Sequence, residues 1–136
     1  MDCVRILFVD HSPAFVQGLV SYFRKLNSDV EFDLATKVDS GITLIQKSNY
    51  DIILLDTSLS DFDVEKLSLS LVGKTKKSRI AITAIESYPW ISSVILQLKV
   101  SCVLNRNAKR EEIMEGCKAL LAGTSYYTSS FVSGLL

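Results

Sequence analysis

Short apolar runs alternate with amphipathic stretches along the whole chain. Val4-Arg5-Ile6-Leu7-Phe8-Val9 is a β-branched and aromatic run of strand length, closed by Asp10. His11-Ser12-Pro13 then opens a helix, with Ser12 as N-cap and Pro13 at the first helical position, where its missing N–H is no loss. Phe15, Leu19, Tyr22, Phe23 and Leu26 follow at three- and four-residue spacing, which predicts one buried helix face. A more polar strand is expected over 30–35 after the turn Asn27-Ser28-Asp29, and a weaker helix over about 39–47 with Ile42, Leu44 and Ile45 inward. Gly41 blurs where that helix begins.

The clearest strand is Asp51-Ile52-Ile53-Leu54-Leu55-Asp56, whose unbroken apolar centre predicts burial on both faces, as in the middle of a parallel sheet. Further strands are expected over 79–84 and 101–104, with helices over 64–71, 89–99 and 109–122 and Gly123 as the residue that ends the last one. The basic stretch Lys74-Thr75-Lys76-Lys77 reads as a solvated connector. Five strands alternating with five helices predict an α/β doubly wound fold with right-handed crossovers.

Composition narrows the function classes. The 136 residues are 48% hydrophobic and 22% charged, which suits one globular domain. Fifteen basic residues balance fifteen acidic ones, so net charge gives no case for nucleic-acid or membrane-surface binding. Cys3, Cys102 and Cys117 share no metal or disulfide spacing and read as free thiols of a reducing compartment. The first apolar run is too short for a signal sequence or a membrane span, so a cytoplasmic location is expected.

In a doubly wound sheet, ligands bind beyond the carboxyl ends of the strands. Asp10, Asp56 and Thr83 all fall there. Asp10 by itself fits a turn former or helix cap equally well, and Thr83 by itself fits an ordinary strand residue. Asp56 is harder to explain that way: it ends a run that is apolar from Ile52 to Leu55, and a carboxylate in such a place needs a partner or a task. The six glycines form no phosphate-binding loop, and no nucleophile elbow accompanies the single histidine, His11. Trp90, near a helix start after Tyr88-Pro89, is a candidate for a partner surface.

Together these residues resemble the receiver domain of bacterial two-component response regulators, in particular the NarL/FixJ or LuxR-type class. The resemblance is carried by Ile6-Leu7-Phe8-Val9-Asp10-His11-Ser12-Pro13-Ala14-Phe15, by Asp51-Ile52-Ile53-Leu54-Leu55-Asp56, by Arg79-Ile80-Ala81-Ile82-Thr83-Ala84 and by the exit Leu121-Ala122-Gly123-Thr124-Ser125-Tyr126-Tyr127-Thr128. It covers nearly the whole chain. It implies a flavodoxin-like (βα)5 fold with a five-stranded parallel sheet in the order 2-1-3-4-5, a receiver domain over 1–123, and a tail or start of a linker to an effector domain over 124–136.

The resemblance also assigns roles. Asp56 looks like the phosphoacceptor, Thr83 like the hydroxyl that binds the phosphoryl group, and Asp10 with Asp56 and the Ser58 backbone carbonyl like the holders of Mg²⁺. The implied partners are a sensor histidine kinase, a second copy meeting through the last two helices, and DNA only through an effector domain outside this chain. The phosphotransfer is onto the domain's own aspartate, so no enzyme is implied. The alternative is a pseudo-receiver, an interaction module that signals without phosphorylation.

The chain departs from the family pattern in four respects. His11 stands where a second acid is usual, and an imidazole brings no negative charge to a metal. One unit charge at about 4 Å is worth roughly 4 kcal/mol at an effective dielectric near 20, so weak Mg²⁺ binding is expected. The usual lysine is replaced by Arg106 if the chain is aligned on Arg110-Glu111-Glu112-Ile113, or by Asn105 if it is aligned on the preceding strand. Neither Cys102 nor Val103 is the usual aromatic switch residue, and Ser60 and Val64 stand for the usual proline and glycine.

Overall fold

The computed structural model describes residues 2–74, 77–85 and 88–128. Thr75 and Lys76 of the basic connector, and the 129–136 part of the expected tail or linker, lie outside the described residues.

Strands β1 (Val4–Val9), β2 (Val30–Ala35), β3 (Ile52–Asp56), β4 (Arg79–Ala84) and β5 (Val100–Asn105) alternate with helices α1 (Pro13–Leu26), α2 (Val38–Lys47), α3 (Val64–Ser70), α4 (Ile91–Leu98) and α5 (Arg110–Ala122). All neighbouring strands run parallel, and the sheet order is β2-β1-β3-β4-β5, extended at its edge by the two-residue β6 (Tyr126–Tyr127). This is the flavodoxin-like arrangement expected from the resemblance, with a short sixth strand added. Chain order reverses between β1 and β3, which makes their carboxyl ends the switch point of the sheet.

The strand period of two sorts the core into two layers. Leu7, Val9, Ile53, Leu55, Ile80, Ile82 and Val103 pack with Val38, Ile45, Leu67, Val94 and Leu98, placing α2, α3 and α4 on one face. Ile6, Phe8, Ile52, Leu54, Ala81, Cys102 and Leu104 pack with Val16, Leu19, Phe23, Ile113, Cys117 and Leu120, placing α1 and α5 on the other. Every residue of β3 is buried, as its apolar run required.

Local chemistry sets most helix ends. Ser12 Oγ accepts the Phe15 N–H at 3.2 Å, and Pro13 sits in the first turn of α1. Gly123 ends α5 in the left-handed region at φ 77°. Helix α2 differs from expectation by beginning at Val38: its N-terminal capping contact is remote, since the Val38 N–H donates to Asp61 Oδ2 at 2.9 Å. Gly41 belongs inside this helix because α2 crosses tightly over β1, and a Cβ there would lie 2.7 Å from Val9 Cγ2. Helix α4 connects to β5 through a single residue, Lys99, at φ 54° and ψ 48°.

Candidate functional site

Four strand ends supply the site. Asp10 follows β1, Asp56 closes β3, Thr83 lies opposite Asp56 in the β3–β4 register, and Arg106 follows β5, tied to β4 by its N–H on the Ala84 carbonyl at 2.9 Å. Arg106 turns into the site, while Asn105 Oδ1 accepts the Asn107 N–H at 2.8 Å as the chain leaves the sheet.

Arg106 is the hub. Its Nη1 donates to Asp10 Oδ2 at 2.6 Å and to Thr83 Oγ1 at 3.0 Å, and its Nη2 donates to Asp10 Oδ1 at 3.0 Å. Nη1 also stands 3.7 Å from Asp56 Oδ2. The guanidinium carbon lies 4.0 Å from the centre of the Phe15 ring, so an aromatic face closes the other side of the cation. The side chain is only 8% exposed, which leaves it little freedom to go elsewhere.

Asp56 is fully enclosed. Its Oδ1 accepts the Ser58 N–H at 2.9 Å and the Ser58 hydroxyl at 2.6 Å. Its Oδ2 accepts the His11 N–H at 3.3 Å and lies 2.5 Å from His11 Nδ1. Burial pushes the Asp56 carboxyl up, but the Ser58 hydroxyl, the His11 ring, the Ser58 N–H and the Arg106 charge together hold it below the usual carboxylate value. An ionised carboxylate can only accept, so this contact is a hydrogen bond in the tautomer that carries a proton on His11 Nδ1. The His11 side chain is 54% exposed and forms the outer wall of the pocket.

Asp10, Asp56, Thr83, His11, Ser58 and Arg106 thus converge at one place. Two contributions were not apparent in the sequence. Ser58 acts on Asp56 through its side chain as well as its backbone, and Phe15, which reads as an ordinary core position, stacks on the guanidinium. Thr57 braces the same corner, its hydroxyl donating to the Thr83 carbonyl at 2.9 Å.

Ligand atoms of Asp10, His11 and Asp56 lie within 4.8 Å of one another, the spacing of a candidate cation cluster. The donor set does not fit Mg²⁺. That ion demands a near-octahedral oxygen shell, and here each carboxylate oxygen already accepts from an N–H or O–H donor. A guanidinium stands between the two acids, and the third residue offers nitrogen.

A second concavity, a groove of about 370 Å³, opens beside the site between the β3–α3 loop and α4, lined by Thr57, Leu59, Phe62, Val64, Trp90 and Val94 among others. Trp90 is 42% exposed and stacks on Tyr88 with ring centres 5.2 Å apart. No helix among the described residues is long and apolar enough to cross a membrane.

No protein-family sequence model matches the chain, and no curated protein matches it in sequence. Solved structures do match it in fold. The isolated receiver domain of RcsB from Salmonella enterica serovar Typhimurium, determined with phosphomimetic BeF3-, aligns with a TM-score of 0.79 at 13% identity over 99% of this chain and 100% of that one. A LuxR-family two-component response regulator from Aurantimonas sp. SI85-9A1 gives 0.77 at 17% identity over 98% and 96%. The signal receiver domain of the putative response regulator NarL from Mycobacterium tuberculosis gives 0.69 at 22% identity over 90% and 97%. The chain therefore carries the receiver-domain fold of response regulators, with LuxR- and NarL-type receivers among its structural neighbours.

Proposed function

We propose that this chain is a receiver module of a two-component relay, with Asp56 as its phosphoacceptor. The observation that carries this reading is the convergence of Asp56, Thr83 and Arg106: an ionised carboxylate faces a hydroxyl in strand register and a guanidinium at 3.7 Å.

Asp56 Oδ2 attacks the phosphorus of a phosphohistidine on a sensor kinase, or of a small acyl phosphate. The bond from phosphorus to the donor nitrogen or oxygen breaks, its electron pair leaves with the donor, and an acyl phosphate forms on Asp56. His11 must first give up Oδ2, and its exposure makes it the part of the enclosure free to swing away. The Arg106 charge and the Thr83 hydroxyl then neutralise and bind the phosphoryl oxygens, so positioning and electrostatics supply the catalysis.

The remaining assignments follow from the same reading. A histidine kinase is the donor, and the domain is a signalling module rather than a catalyst acting on other molecules. The last two helices offer a face for a second copy, where Leu96 of α4 is 79% exposed. DNA contact belongs to an effector domain separate from this fold, and the site of action is the cytoplasm.

One observation favours a second reading, the pseudo-receiver that signals without phosphorylation. The Asp56 side chain has no exposed surface, and both of its oxygens are engaged. Incubation with acetyl phosphate followed by intact-mass spectrometry separates the two. Addition of one phosphoryl group to the wild type and none to Asp56→Asn supports the acceptor. An unmodified wild type, with and without Mg²⁺, supports the interaction module.

A further inference from the structure

The geometry points to Arg106 as the pocket's resident cation, standing in for a divalent metal and making this site one that handles an oxyanion without Mg²⁺. The identity of the oxyanion as a phosphoryl group rests on the reading above. The assignment to Arg106 does not.

Arg106 does more than pair with one acid. A single nitrogen, Nη1, touches Asp10 and Thr83 and faces Asp56, so one positive charge is shared by both carboxylates and the hydroxyl. Nη2 completes a fork on Asp10, a geometry that a planar guanidinium matches and a compact ammonium does not. Phe15 packs against the guanidinium, and the side chain is nearly buried, so this is a built contact rather than a visit from the surface.

The rest of the pocket agrees with such an arrangement. With His11 in place of a third acid, the cluster holds two carboxylates against one permanent cation. A divalent ion entering there would meet the guanidinium head-on and would have to strip hydrogen bonds from both acids. Such an ion gains less where one of the two negative charges is already neutralised.

The test is a titration of the full chain with Mg²⁺ and Mn²⁺, followed by Trp90 fluorescence and by the amide NMR signals of His11, Ser58 and Thr83. The wild type is expected to show no saturable response in the millimolar range. Arg106→Gln is expected to gain metal affinity by about ten-fold or more, because two acids are left without their cation. Arg106→Lys keeps the charge but loses the fork; it is expected to gain less, and it guards against failure of the first variant to fold, which circular dichroism checks.

Tight saturable binding by the wild type, or a folded Arg106→Gln that gains nothing, would overturn the assignment. A chain that takes no phosphoryl group yet gains metal on loss of Arg106 would sink the phosphoacceptor reading alone and uphold this one.

Discussion

Arg106 and Asp10 are separated by 96 positions in the chain, yet they close a two-bond fork of 2.6 and 3.0 Å with side chains only 8% and 5% exposed. The pair joins the end of β5 to the end of β1 across β3 and β4. The carboxyl edge of the sheet is thus held by charge as well as by backbone pairing.

Breaking this fork from one side leaves a buried acid unpaired. Arg106→Met should destabilise the fold by about 3–5 kcal/mol in urea denaturation, since the loss is that of a buried ion pair with one partner removed. The double variant Arg106→Met with Asp10→Asn should recover part of that loss. Strict additivity of the two single changes would show that the fork carries no coupling.

Asp56 makes acid stability informative. Its native carboxyl holds its proton less readily than in the unfolded chain, so as pH falls the unfolded state takes up the proton first. The stabilisation is fully present above the ordinary carboxylate value and is lost as pH drops through the lower native value. The stability difference between the wild type and Asp56→Asn should therefore stay level from neutral pH down to about 4 and shrink below it. A difference that shrinks between pH 8 and 6 instead would point to another titrating group.

Lys99 is the non-glycine residue with positive φ among the described residues, at 54°. The left-handed region strains any residue with a Cβ, and the α4–β5 connection has no second residue to share the bend. Lys99→Gly should raise stability by about 0.5–1 kcal/mol, after the extra freedom of glycine in the unfolded chain is subtracted. Thermal unfolding of the two proteins measures it, and an unchanged or lower midpoint would contradict the claim.

The thiols divide by location. Cys102 and Cys117 are enclosed in the α1–α5 layer, and burial pushes each up to about 12, whereas Cys3 is exposed. Iodoacetamide at neutral pH should modify Cys3 alone in the native protein, and all three only after denaturation. Native modification of Cys117 would mean that α5 opens readily from the sheet.

Periodicity made most of the fold legible. The limits of β1 and β4 follow from their apolar runs, those of β2 from the turn before it, and the start of α1 from Ser12 and Pro13, because residue patterning and capping are set by residues close together in sequence. The start of α2 was less legible, since its capping contact comes from Asp61 on a later loop. The Tyr126–Tyr127 strand is too short to show a period and exists because the edge of β5 is there to pair with it.

For the site, sequence by itself determined which groups stand at the carboxyl edge: Asp10, Asp56 and Thr83 fall there as soon as the strands are placed. Only the tertiary structure decided their state. It turned Arg106 toward Asp10, Thr83 and Asp56, laid Phe15 against the guanidinium, and turned Ser58 and His11 onto Asp56. The reason is physical. Helix and strand periods are local and can be read along the chain, whereas Coulomb forces and hydrogen bonds act across space, between residues whose meeting is settled only when the sheet assembles.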